Sequence, residues 1–511
     1  QVDFAGSGKP ADGAADLEVM LVGAGPLSLG DVLGAVLPAV TAPPAVTAPP
    51  IVTPPPKASA PAGSIYVAVG DSLQAAVNAA GPGATFYLQA GIHRLESVTP
   101  LSGDTFLGEA GAIMSGASLL TGFSKVGNAW MVGGQTQDGV IRENTHLTPG
   151  FSMAGDPNIV FVDDQAQRQV ASLAEVKAGT FFFDHGANQI YLGSDPSGHR
   201  VEAAVSPFAF AGSATGVTIT GLTIEKYASP VQFGAIGYTD RPQNWVVQNN
   251  EVRLNFGVGI TVGSNSQILN NNVHDNGEMG IGGNGNNILV QGNEIAGNGF
   301  FSGIDPLWEG GGSKFAQTNG LVVRGNYSHD NNGYGLWTDI DAVNTLYENN
   351  TVSKNLYGGI SHEISFAAII RNNTVTGNGA AQPTWLWGGG IQIQNSRDVD
   401  VYGNTVDMTG GGNGIVLIQQ NRGTGPNGAH VTTGNDVFDN IIISRSFDQG
   451  ASGAVADYNE AGMLAGGNSF YRNTYKLSDP QNDHWAWGNF YAWADYTAAS
   501  HQDVGSTVVL I

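Results

Sequence analysis

An asparagine recurs along the chain at positions 250, 271, 293, 326, 350, 373, 404 and 440, in the strings NNEV, NNNV, GNEI, GNYS, NNTV, NNTV, GNTV and DNII. Successive gaps are 21, 22, 33, 24, 23, 31 and 36 residues. A short β-rich run precedes most of them: QILN, ILVQ, LVVR, TLYE, AIIR, VDVY. A basic period of 22 to 24 with three longer coils is the mark of a solenoid. Each unit is too small to bury its apolar residues alone and must bury them against the units above and below. An asparagine at a fixed place can pair its amide with the same amide one coil away, and it tolerates the left-handed bend of a corner. The pattern predicts an all-β fold, a right-handed parallel β-helix over residues 64–470. Antiparallel pairing between these runs would exclude it. A leucine-rich horseshoe lacks its LxxLxL frame here. A β-propeller, the alternative, needs blades of about 40 residues and four antiparallel strands.

The flanks follow from composition. Residues 41–63 hold eight prolines and read as a semi-rigid linker. Residues 1–40 are short for a domain and are expected to be poorly ordered or to pack on the body. Leu73 to Ala80 is an amphipathic helix, capped by Asp71 or Ser72 and ended by Gly81-Pro82, that caps the solenoid. The aromatic-rich, non-repetitive segment 471–511 is expected to cap the other end. With 74 Gly, 12% charged residues and no Cys, a helical bundle, a disulfide scaffold, a thiol nucleophile and a Cys-ligated metal are excluded. The net charge of −23 argues against nucleic acid and anionic membranes as partners. No transmembrane span is expected, because the apolar stretch 19–40 is broken by Gly, Pro and Asp31. The linker fits a secreted or cell-surface bacterial protein.

The segment GYGLWTDIDAVNTLYENNTVSKNLYGGISHEISFAAIIRNNTVTGNG and the entry DSLQAAVNAAGPGATFYLQAG resemble the right-handed parallel β-helix proteins of the pectin-lyase-like superfamily. That resemblance implies an exported carbohydrate-active protein: a pectin or alginate lyase, a glycoside hydrolase, a uronan epimerase or a phage tailspike. The Asp-Pro-His signature of the alginate epimerases is missing, since Asp305-Pro306 is followed by Leu307. So are the Asn-Thr-Asp and Gly-His-Gly motifs of polygalacturonases.

Charged and aromatic residues bunch on four neighbouring coils: Trp308-Glu309 to Lys314, Trp337 to Asp341, Ser361-His362-Glu363, and Ile391 to Asn395. Asp339, Glu363 and Gln394 each lie four residues after a strand-opening glycine, which places them on one strand of successive coils. Asp339, Asp341 and Glu363 are then expected to form an outward acidic patch with Lys314 at its edge and Ile340 and Ile364 inside. Crowded carboxylates raise at least one pKa, as a general acid requires. A solvated polar face, or a cation site holding the coils together, is the bland alternative. The catalytic candidates are Asp339, Glu363, Asp341, Lys314 and His362. The sugar-binding candidates are Trp308, Glu309, Trp337, Gln394, Trp385 and Trp387, with the Trp of the longer coils as groove walls. His274 and His329, in repeated HDN turns, are read as structural.

The leading function is a glycoside hydrolase acting on a polysaccharide, with no cofactor required. A second reading is a uronan lyase or epimerase, with Lys314 or His362 as base and carboxylates holding Ca²⁺. Arg324, Arg371 and Arg397 would be its only extra cations. A third is a non-enzymatic adhesin or glycan-binding rod. Removing one of the crowded carboxylates is expected to raise the melting temperature slightly.

Overall fold

The computed structural model describes residues 60–142, 145–445 and 450–511. The segment 1–40 and the linker residues 41–59 lie outside them. One coil shows the plan. Tyr334–Asp339 lies on a first face (A), Val343–Glu348 on a second (B) and Thr351–Ser353 on a third (C). The chain then returns to face A at Gly358–Glu363. Each strand pairs in parallel with its equivalent one coil on: Leu336 with Ile360, Leu346 with Ile369, Val352 with Val375. Among the described residues, face C stacks thirteen such strands, from Gly91–Arg94 to Thr507–Leu510. The fold is the expected right-handed parallel β-helix.

Single β-branched residues build the core. Ile219, Val247, Ile268, Val290 and Val323 pair in register on face B, and all are buried. At the corner between faces B and C runs the asparagine ladder. Each Nδ2 donates to the next Oδ1 at 2.9–3.1 Å, from Asn250 through Asn440 to Asn473. Each amide also donates to a main-chain carbonyl, as Asn350 does to Val323 at 3.0 Å. A second ladder, Asn255, Asn276, Asn298, Asn331, Asn355 and Asn378, turns the corner from face C to face A at 2.8–3.0 Å.

The ends are closed by design of the sequence. Ser72 accepts from the Ala75 amide and caps the helix Leu73–Ala80, whose Leu73 and Val77 are buried. The C-terminal boundary differs from the expected 470. Parallel pairing continues through Thr474–Leu477 and Trp485–Trp487 to Thr507–Leu510. The segment 471–511 therefore completes coils, and its helix Trp493–Ser500 packs Tyr496 beside Trp485.

One region departs from the solenoid altogether. Between Ala112–Ser115 and Thr218–Thr220 the chain makes an eight-stranded, mostly antiparallel sheet from Ala117–Leu119 to Val201–Ala204. It has its own core of Phe161, Phe181, Phe183 and Leu192. The β-helix resumes as though uninterrupted: Thr218 pairs with Thr105 and Thr223 with Ile113. The insert leaves after that coil's face-C strand and returns before its face-A position, where Phe210 bridges Val98 and Ile236. Buried Lys226 ties it to the body through Asp164 and Glu202.

The three longer coils send their extra residues out beside face A. Residues 299–310 and 380–388 precede face-A strands, and 420–432 follow one.

Candidate active site

Along face A, alternate residues point in and out. Leu336, Ile360, Ile391 and Ile393 enter the core. Register then stacks two outward rows. One is Lys314, Trp337, Ser361, Gln392; beside it run Ala316, Asp339, Glu363, Gln394. Lys314 stands one row over from Asp339, and its Nζ reaches across to Asp339 Oδ2 at 3.0 Å. The same ammonium meets Glu309 Oε2 at 3.0 Å and the Trp308 carbonyl at 2.8 Å, and it lies 3.9 Å from the Trp337 ring centroid. Glu363 Oε1 accepts from Arg422 Nη1 at 2.6 Å. Gln392 Nε2 donates to the Tyr334 hydroxyl at 3.0 Å and to Gln394 Oε1 at 3.1 Å.

The two carboxylates are wired differently. Burial, then the neighbouring Asp339, push the Glu363 carboxyl above its ordinary range, while Arg422 and Lys314 pull it back only in part. Burial would discharge Lys314, but Glu309, Asp339 and Glu363 outweigh it and hold the ammonium above its ordinary value. Burial and the Glu363 charge push the Tyr334 hydroxyl up.

Loops cover this cluster. The side chains of Asp339, Lys314 and Glu363 are 1%, 6% and 8% exposed. The 299–310 loop docks on the insert: Leu147 bridges Ile304, the Asp305 amide donates to the His146 carbonyl at 2.9 Å, and the His146 and Trp308 rings stack at 4.4 Å. The 420–432 segment covers the other edge with Arg422 and His430. The site is recessed beneath loops, where the sequence pointed to an open groove.

The structure brings together Lys314, Glu309, Trp337, Asp339, Glu363 and Gln394. Others fall elsewhere. His362 points inward, because it alternates with Glu363. Its Nδ1 meets Thr338 Oγ1 at 2.7 Å, and burial pulls it down to about 3, so it is no base in the site. Asp341 sits past the strand end at a left-handed φ of 57° and binds His430 Nε2 at 3.1 Å. Ile340 and Ile364 also take left-handed φ at this corner, and the inward places belong to Leu336, Thr338, Ile360 and His362. Trp308 is spent on His146 and the insert core, and the Trp337 ring lies under Lys314, 2% exposed. Trp385 and Trp387 pack on Val416, Ile418, Ala451, Val455 and Ala486, two coils beyond Glu363. Arg324 and Arg371 pair with Glu348 on face B, and Arg397 binds the Asn427 carbonyl. His274 and His329 pair with Glu251 and Glu294 on face C.

Sequence reasoning missed Arg422, Tyr334, His430 and Glu278, and gave no role to Gln392 within the segment Ile391 to Asn395 that it singled out. Glu278 is fully buried and accepts from the Gln232 amide at 2.8 Å. Burial and then Glu309 push its carboxyl well up. The third longer coil was the available signal for Arg422 and His430. A Ca²⁺ ion does not suit these side chains. The Lys314 ammonium already lies between Glu309 and Asp339, and a guanidinium lies on Glu363. Among the described residues no three or more His, Asp or Glu side chains converge as a metal site.

Residues 234–406 match the family described as "Right handed beta helix region". A solved structure described as "The complex structure of XylC with xylose" superposes with a TM-score of 0.60 at 15% identity, over 80% of this chain and 83% of that one. The chain is a right-handed parallel β-helix protein. Two further β-helix likenesses are weaker. The mannuronan C-5 epimerase A-module of Azotobacter vinelandii gives a TM-score of 0.45 at 13% identity, over 86% of this chain and 90% of that one. The catalytic domain of a GH87 alpha-1,3-glucanase with nigerose gives 0.43 at 13% identity, over 89% and 69%. No curated protein sequence matches significantly.

Proposed function

We propose that the protein is a polysaccharide-active enzyme, a glycoside hydrolase whose acid–base pair is Glu363 and Asp339. The observation that carries this reading is their register: equivalent outward positions of adjacent coils, with unlike partners. Glu363, its carboxyl pushed up by burial and then by Asp339, is the member of the pair suited to give a proton to the leaving oxygen. Asp339, paired with Lys314, acts as nucleophile or base. One coil rise is about 4.8 Å. That is nearer the roughly 5–5.5 Å carboxyl separation of retaining enzymes than the 6.5–9.5 Å of inverting ones. Tyr334, Gln392 and Gln394 bind sugar hydroxyls around the pair. The recessed position favours removal of terminal units over cleavage inside a long polymer.

Elimination has less support. It needs a base to take the C5 proton, but Lys314 is held charged by Glu309, Asp339 and Glu363, and His362 points into the core. We further propose that the protein is secreted or surface-borne, which fractionation of the producing cells would test. The chemistry is tested on a glycan panel in H₂¹⁸O with mass detection, starting from xylo-oligosaccharides. Hydrolysis places one ¹⁸O in each new reducing end. An unsaturated, unlabelled product would replace hydrolysis with elimination, and binding without turnover would replace both with a glycan-binding rod.

A further inference from the structure

A second recess lies beyond the carboxylates, where the 380–388 loop leaves the solenoid. It is a cavity of about 550 Å³, lined chiefly by Trp385, Leu386, Gly410, Gly411, Gly412 and Phe490. Its wall is held rigidly. Asn413 Nδ2 donates to the carbonyls of Pro383 at 3.0 Å and Trp387 at 2.6 Å. Leu386 plugs the apolar cluster on Val416 and Ile418. Between these ties Trp385 and Leu386 take left-handed φ values of 53° and 65°. Such values are costly for bulky side chains and persist only where the surroundings impose them.

The floor is three successive glycines, all at positive φ. A Cβ on Gly412 would fall 1.9 Å from the Asn378 carbonyl oxygen, so the floor stays bare of side chains. Phe490, 41% exposed, lines the same recess as Trp385. Among the described residues, none of the lining side chains is charged. Aromatic walls suit the apolar C–H faces of a sugar ring, and a bare peptide floor can meet its hydroxyl edges. Among the described lining residues a uronate would meet no cation, in a chain of net charge −23.

We propose that this cavity is a second carbohydrate-binding site, which takes a neutral sugar unit and anchors the polysaccharide apart from the carboxylate pair. The inference rests on the proposed function for its ligand class. Two points of attachment would hold a polymer more tightly than either alone.

The test is titration calorimetry on the full chain, with cello-, xylo-, malto- and laminarihexaose, and hexagalacturonate as the anionic control. At least one neutral hexaose should bind, and hexagalacturonate should not. Trp385→Ala and Phe490→Ala should each weaken binding about tenfold or more. The Asp339→Asn/Glu363→Gln double variant should keep binding that still depends on Trp385 and Phe490. Phe490 is exposed, so its variant reads binding even where Trp385→Ala fails to fold. No binding of any neutral hexaose, equal binding of hexagalacturonate, or parental affinity in folded Phe490→Ala overturns the proposal. Glycan turnover without ring-dependent binding removes this site and leaves the hydrolase reading standing. Ring-dependent binding without turnover of any glycan does the reverse.

Discussion

The asparagine ladders and the outward rows of face A are built by one operation, the stacking of equivalent positions about 4.8 Å apart. Their outcomes are opposite. In a ladder the same residue returns each time, and every amide donates to the next coil and to a carbonyl. Repetition itself satisfies the buried polar groups. In the row Ala316, Asp339, Glu363, Gln394 nothing repeats. Two stacked carboxylates cannot satisfy one another, so cations come from outside the row, Lys314 from its neighbour and Arg422 from a loop. Repetition in this chain marks structure, and broken repetition marks the proposed site.

Breaking the imported charge should have the largest effect. Lys314→Met leaves Glu309 and Asp339 buried without their shared cation, which should cost about 3–5 kcal/mol in urea unfolding at neutral pH. Unchanged stability would mean that the row needs no cation. Removing one rung is milder. Asn350→Ala takes the acceptor from Asn326 and the donor from Asn373, for about 1–3 kcal/mol. Turnover per folded molecule should not change, and a loss of turnover would blur the distinction between ladder and row.

The smallest effect concerns face C, where charged partners also stack but stay half-exposed. Burial pulls the His274 imidazole down, yet Asp275 and Glu251 outweigh it and hold it at about 9. A folded value above the unfolded one stabilises fully below about pH 6.5, and that contribution is lost as pH rises through about 9. Between those limits the parent should lose stability relative to His274→Gln. Parallel unfolding curves would dismiss the pairing.

Much of this was legible in the sequence. The recurring asparagines announced the coils, and Ser72 stood where a cap was needed. The second ladder was legible too, five residues after the first in each of six coils, from 250/255 to 373/378. The inward turn of His362 follows from strand alternation once Glu363 is set outward. The insert was not legible, because its antiparallel strands carry no period. Arg422 was not either: it reaches Glu363 across 59 residues from a segment whose path no local pattern fixes. The ion pairs also reverse the expected gain in melting temperature on removing a carboxylate. Asp339→Asn breaks a buried pair with Lys314, so the melting temperature should fall.

The most direct measurement is the kcat of Asp339→Asn and Glu363→Gln against pH, on the glycan that the panel identifies. Both should lose at least about 10²-fold while remaining folded. The parent should lose activity as pH rises and the raised Glu363 carboxyl gives up its proton, and Glu363→Gln should lack that alkaline limb. Near-parental turnover in both folded variants would contradict the assignment of the chemistry to this pair.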